Sequence, residues 1–182
     1  MAATVKKNIW WLSAPDGAPP EVLCNQKIAA SQGILIPNAP LYLSQSGTWK
    51  VCDTSDASDA WHGLLVGLEN ADSTWPLTAE LAGNTEIRVA IIDPADYYAV
   101  YVEAGGTDAA ATQALIGNEY GLVVSTTAGQ VGYVSLNTSN SNDTVVVKQV
   151  FGNVEPTKFD LTTAPGVAVV RFLNAVVEAE KA

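Results

Sequence analysis

Short apolar runs in which every second residue is apolar, each closed by Gly, Pro, Asn or Ser, recur along the chain at intervals of 8 to 15 residues. Neighbouring side chains of a strand point to opposite faces, so this pattern predicts short β-strands joined by turns. Ile34 and Ile36 flank Leu35, Pro37 and Pro40 punctuate, and Leu41 to Leu43 followed by SQSGTW reads as a hairpin turning at Ser46-Gly47. Leu64 to Leu68, with Gly63 and Gly67 near its ends, suits a buried strand. Ile87, Val89 and Ile91 alternate with Arg88 and Ala90, and Asp93-Pro94-Ala95-Asp96 is a turn. In the next strand Tyr97, Ala99 and Tyr101 fall on one face and Tyr98, Val100 and Val102 on the other. Both faces are apolar or amphipathic, which places this strand centrally and makes 97–152 the stretch around which the fold is expected to form.

Helical spacing is rare. After Gly105-Gly106, TDAAATQALIG predicts about two turns of helix, capped by Thr107 or Asp108 and stopped by Gly117. Strands resume around Ala128-Gly129, a polar tip runs from Asn137 to Asp143, and TVVVKQVFG follows. Val167, Val169 and Arg171 alternate with Ala168, Val170 and Phe172 in a last strand, before a charged tail that is expected to fray. The expected fold is therefore all-β: a compact β-barrel or sandwich of short antiparallel strands with one short helix and an extended N-terminal arm. Its divisions are an arm at 1–22, a β-rich domain at 23–177, divisible at about 23–103 and 104–177, and a tail at 178–182.

The arm holds Lys6 and Lys7, then Ile9, Trp10, Trp11 and Leu12, then SAPDGAPPE, whose Pro19 and Pro20 favour an extended path. Adjacent tryptophans cannot share one face of a strand. Either one enters the local core while the other covers an edge, or Trp10 or Trp11 anchors in a partner's pocket, a role for which Trp is over-represented.

Composition narrows the function classes. A chain of 182 residues buries roughly 70% of its unfolded surface. Charged residues make up 15%, against roughly 25% in ordinary soluble domains, a surface more common on extracellular and virion proteins than on metabolic enzymes. The net charge is −10, and between Val51 and Val147 thirteen acidic residues face one cation, Arg88. The flanks hold eight cations against six acids. With no basic stripe, direct binding of nucleic acid is not expected. The cationic ends are the expected docking side, and the acidic middle, with a tip at Asn137, Asn140, Asn142 and Asp143, the solvent-facing side. No continuous apolar leader opens the chain and no run reaches a membrane-spanning length, so synthesis in the cytoplasm and no membrane partner are expected.

Little in the sequence is equipped for chemistry. His62 is the single histidine, and a structural role beside Trp61 is expected rather than a nucleophile's base. Asp53, Asp56 and Asp59 are spaced by three, whereas a calcium loop alternates its ligands, so a solvated loop is expected and neither a metal nor a cofactor. Cys24 and Cys52, without a second Cys or His at ligand spacing, read as two buried thiols or, alternatively, a disulfide. The strand tyrosines read as packing residues; a sugar platform built from them with Trp49, Trp61 or Trp75 is the sharper alternative. Asn137-Thr138-Ser139 and Asn142-Asp143-Thr144 match the glycosylation pattern.

Tyr101 to Thr107, Ala110 to Val123, Thr144 to Gly152 and Gly166 to Phe172 carry, in this order, Y-V-x-x-x-G-T, A-x-x-x-A-x-I-G-N-x-Y-G-L-V, T-V-V-V-K-Q-V-F-G and G-V-A-V-V-R-F. This order resembles the head decoration, or cement, proteins of tailed bacteriophages. The resemblance covers the C-terminal half and, more loosely, 33–67. It implies a β-rich protein without a catalytic site that binds the exterior of an expanded icosahedral capsid, bridges major capsid protein subunits and forms a homo-oligomer, in many cases a trimer. The resemblance does not extend to residues 1–22; the cationic ends and the tryptophan pair make Lys6, Lys7, Ile9, Trp10 and Trp11 the expected capsid contact, and the protein is expected on the virion after synthesis in the host cytoplasm. A phage tail or fibre-base module and a carbohydrate-binding β-sandwich are the alternatives.

Overall fold

The computed structural model describes residues 8–52, 60–69, 77–127, 129–139, 143–151 and 164–177. Among them the alternating runs become β1 (Ile9–Ser13), β2 (Val22–Lys27), β3 (Ile34–Leu35), β4 (Pro40–Leu43), β5 (Trp49–Val51), β6 (Gly63–Leu68) and β7 (Glu86–Ile91). These are followed by β8 (Tyr97–Ala104), β9 (Thr107–Asp108), β10 (Glu119–Thr127), β11 (Gln130–Asn137), β12 (Val145–Phe151) and β13 (Val167–Phe172), and by one short α-helix, α1 (Asn174–Val177).

β8 is the hub. One of its edges takes β13, antiparallel, with Val170 opposite Tyr98 and Val167 opposite Tyr101. The ladder continues through β12 and β10 to β11, and β11 returns to β8 in parallel, with Ser135 opposite Tyr101 and Asn137 opposite Glu103. Five strands thus close on themselves as a barrel, which removes the open edges of a flat sheet. β1 occupies β8 from Tyr97 to Val100, just before β11 takes over at Tyr101. The strands are not all antiparallel as expected: β11 runs parallel to both β8 and β3.

The second sheet, ordered β2-β7-β6-β4-β5, is antiparallel throughout. It also curls shut, because Ile28, one residue past β2, bridges Trp49 of β5 and Ala29 donates to the Trp49 carbonyl at 2.8 Å. Strand alternation sets where each sheet sends its side chains. Tyr98, Val100, Val102, Leu136, Val147 and Val170 fill the barrel, while Leu35, Leu41, Trp49, Ile87, Val89 and Tyr133 form the second core. Within β6, Leu64 enters the barrel core and its neighbour Leu65 the other. β8 is buried on both faces, as its pattern predicts.

The expected helix over 107–117 is absent. Thr107–Asp108 folds back on β8 across Gly105 and Gly106, both at positive φ, and only a 3-10 turn at Gln113–Leu115 follows, with no side-chain cap from Thr112. Alanine's helix propensity is a weak prior, and tertiary hydrogen bonds override it. Gly166 donates to the Ala109 carbonyl at 2.8 Å while its own carbonyl accepts from Val102 at 2.9 Å. Ala111 packs so tightly on Gly166 that a Cβ at 166 would collide with the Ala111 backbone.

The N-terminal segment departs from the expected arm. From Ile9 on it is a strand of the first sheet, and 14–21 then cross to β2 in the second. Ile9 is fully buried in the barrel core, so burial of its side chain, not a partner, fixes this segment.

Candidate functional site

β1 is pinned at both ends. Asn8 donates through Nδ2 to the Pro37 carbonyl at 3.0 Å and accepts from the Ile9 amide through Oδ1 at 2.8 Å. Trp10 and Trp11 are both half-buried and take opposite faces. Trp10 meets Tyr101 edge to face, with ring centroids 5.6 Å apart at 64°. Trp11 packs against the barrel core and donates from Nε1 to Asp96 Oδ2 at 2.8 Å.

Asp96 is 5% exposed at the end of the Asp93–Asp96 turn. Burial pushes its carboxyl above the ordinary value; the Trp11 indole and, more weakly, Arg171 oppose this, and the charges of Asp93 and Asp16 add to the rise. Tyr98 shares the environment. Its buried hydroxyl, pushed upward mainly by desolvation, accepts from the Asp93 amide at 3.2 Å. Arg171 donates from Nε to the Pro94 carbonyl at 3.0 Å and lies 5.8 Å from the Tyr97 ring centroid. Tyr97, Tyr98, Trp11, Asp96 and Arg171 therefore tie β1, β8, β13 and the turn into one polar and aromatic cluster.

Of the residues expected to form a capsid contact, Lys6 and Lys7 lie outside the described residues. Ile9 is unavailable to any partner because it is in the core. Trp10 and Trp11 keep partial exposure but are already engaged, by Tyr101 and Asp96 respectively. At the expected solvent-facing tip, Asp143 is exposed, whereas Asn137 is half-buried and accepts from the Ser139 amide at 2.9 Å. Asn140 and Asn142 lie outside the described residues.

His62 Nδ1 accepts from the Leu43 amide at 2.9 Å, and its backbone bridges Leu41 and Ile92. Trp61 beside it is 4% exposed and packs on Phe172 at 5.6 Å. The sugar platform does not form as drawn, because Trp49 and Trp61 are core residues, Trp10 covers Tyr101 and Arg171 sits over Tyr97. Trp75 lies outside the described residues. Neither cysteine reading holds for both residues: they form no disulfide, and Cys52 is buried while Cys24 is exposed on β2. The acids Asp53, Asp56 and Asp59 lie outside the described residues, and among those described no three His, Cys, Asp or Glu side chains converge as a metal ion requires. No described helix is long and apolar enough to cross a membrane. The residues that sequence reasoning missed are Asp96 and Arg171, whose partners are distant in sequence.

No family model, curated protein or solved structure matches the chain.

Proposed function

We propose that the chain is a non-enzymatic virion protein that decorates the outside of a tailed-phage capsid and bridges neighbouring major capsid protein subunits. The observation that carries this reading is a coincidence of sequence and fold. The four segments that resemble capsid decoration proteins supply the second half of β8, the first half of β10, and all of β12 and β13, so they contribute to four of the five strands that close the barrel. The likeness thus lies in one continuous piece of architecture rather than in scattered strand residues. A charge-poor, acidic exterior suits a particle surface. His62, the single histidine, accepts a backbone hydrogen bond from the Leu43 amide. Each docked copy would add a weak contact across a capsomer seam, and multiplicity would make the sum strong against internal DNA pressure.

The test is co-sedimentation of the purified chain with expanded and unexpanded capsids that lack a decoration protein, followed by copy counting in cryo-EM maps. Saturable binding to expanded shells at hundreds of copies is expected. A few dozen copies confined to a tail or vertex, or no binding to either shell, would overturn the reading. Removing residues 2–7 tests the Lys6–Lys7 contact while retaining every residue of β1, and should weaken capsid binding.

A further inference from the structure

Ile87 and Val89 of β7 enter the core of the second sheet, so Glu86, Arg88 and Ala90 take the opposite face. Both neighbouring strands are bulged beside Arg88: β6 at Val66, between Leu65 and Gly67, and β2 at Cys24 and Asn25, between Leu23 and Gln26. Val22, opposite Ala90, and Val66 are 42% and 40% exposed, and Cys24 is exposed as well, so Arg88 lies among uncovered apolar side chains. Its Nε is buried yet has no acceptor, and its guanidinium makes no hydrogen bond, ion pair or ring contact with any described residue. Two nearby carboxylates have other neighbours: Glu86 stands opposite Lys27 in the β2–β7 ladder, and Glu69 Oε2 accepts from the Asn25 amide at 3.0 Å.

We propose that this face of the second sheet docks a partner polypeptide through a glutamate or aspartate side chain that seats on Arg88 between apolar neighbours. A buried, charged donor without an acceptor calls for one, since native structures leave few such groups unsatisfied. Charge complementarity selects a carboxylate, because Arg88 is the single cation between Val51 and Val147. No bond holds the guanidinium, so it can turn its planar Nε–Nη edge to both oxygens of one carboxylate. The apolar rim selects a polypeptide over a free anion: Val22, Val66 and Cys24 are covered only by an occupant with apolar groups of its own. A nucleic acid fits less well, because one guanidinium cannot offset a chain of phosphates and Glu69 and Glu86 would repel the rest. This surface goes beyond the capsid reading, and an acidic partner is held here whether or not that partner is a shell protein.

Arg88 and Arg171 are the only arginines, so the chain gives two arginine Nε–H signals. Arg171 Nε donates to the Pro94 carbonyl and serves as an internal reference. The full chain, labelled with 15N and kept under reductant, is titrated at low salt with acetyl-Val-Glu-Val-amide, its glutamine counterpart, sodium acetate and inorganic phosphate. From the glutamate peptide a saturable shift of the Arg88 Nε–H is expected, together with the Cys24, Val66 and Ala90 amides and without Arg171. The glutamine peptide and acetate should bind about tenfold more weakly or worse, the first for want of charge and the second for want of apolar contact. Arg88→Gln, its folding confirmed by its thermal midpoint, should lose the amide shifts to a similar degree, and Arg88→Lys should retain only part of the binding. No saturable shift, shifts that spare Arg88, equal affinity for the glutamine peptide or undiminished binding by R88Q would overturn the proposal. Acetate as tight as the peptide, or phosphate tighter, would replace it with a small-anion site. Movement of the same signals on dilution of the protein alone would replace the acidic partner with a second copy of the chain.

Discussion

Asp96 is held in an environment that favours its neutral form, with the Trp11 indole as its hydrogen-bond donor. Its carboxyl is raised above 3.8, first by burial. The native state therefore binds this proton more tightly than the unfolded chain does, and the sign of the linkage follows. The contribution to stability is fully present below the unfolded value and is lost as pH rises through the folded one. Ionising Asp96 therefore costs stability. Asp96→Asn keeps an oxygen to accept from Trp11 Nε1 and removes the titration. Compared with the parent, D96N should gain relative stability between about pH 3 and about pH 7, as read from paired urea midpoints at the two ends. A difference between the two proteins that does not change with pH would show that the Trp11 hydrogen bond and Arg171 fully offset burial. Trp11→Phe is the complementary change. It leaves a buried carboxylate oxygen without its donor and should cost about 1–3 kcal/mol at neutral pH.

At the level of elements, β1 shows how a strand can be invisible in sequence and firm in structure. Two adjacent tryptophans followed by Pro15, Pro19 and Pro20 carry no period-two signal, so the segment reads as an arm. What makes it a strand is its register against β8, with Ile9 opposite Val100 and Trp11 opposite Tyr98, and the Trp11–Asp96 bond spans 85 positions. Such pairing is long-range information that no local pattern contains. The same holds for 107–117, where alanine propensity predicts a helix and backbone bonds from Gly166 and around Val147 impose an extended path instead. By contrast β4, β6, β7, β8 and β13 were legible, because alternation and turn residues are local properties. The all-β class and the central place of β8 followed from them. The cluster of Trp11, Asp96 and Arg171 was not legible, since it forms only when β1 and β13 are laid beside the Asp93–Asp96 turn. Ile9→Ala measures how firmly β1 belongs to the fold. It empties a fully buried site in the barrel core and should cost about 2–5 kcal/mol in a urea titration. A loss below about 0.5 kcal/mol would return the segment to the status of a dispensable arm.

Across the whole molecule the two closed sheets are not two independent bodies, and the reason is again strand alternation. Leu64 of β6 and Ile92, one residue beyond β7, send their side chains into the barrel core along with Trp61 and Cys52, while Tyr133 of β11 enters the core of the other sheet. Trp61 also donates its amide to the Val176 carbonyl of α1, which joins the far end of the chain to the second sheet. Each core is therefore completed by side chains from the other sheet, and neither can lose its structure without opening a cavity in its neighbour. The chain should unfold in one cooperative step. For 182 residues the calorimetric enthalpy near 60 °C is on the order of 130 kcal/mol, and a single step requires a van't Hoff enthalpy of the same size, whereas separate sheets would each give roughly half. Leu64→Ala makes the distinction sharper, because the residue belongs to one sheet by backbone and to the other by packing. A cost of about 2–5 kcal/mol should lower one common midpoint by roughly 5–15 °C. Splitting into two transitions, with only one displaced, would show that the sheets fold independently. For a protein proposed to bridge capsid subunits the difference is mechanical: a single cooperative unit transmits load from β1 to the second sheet, and two independent ones would yield at the junction.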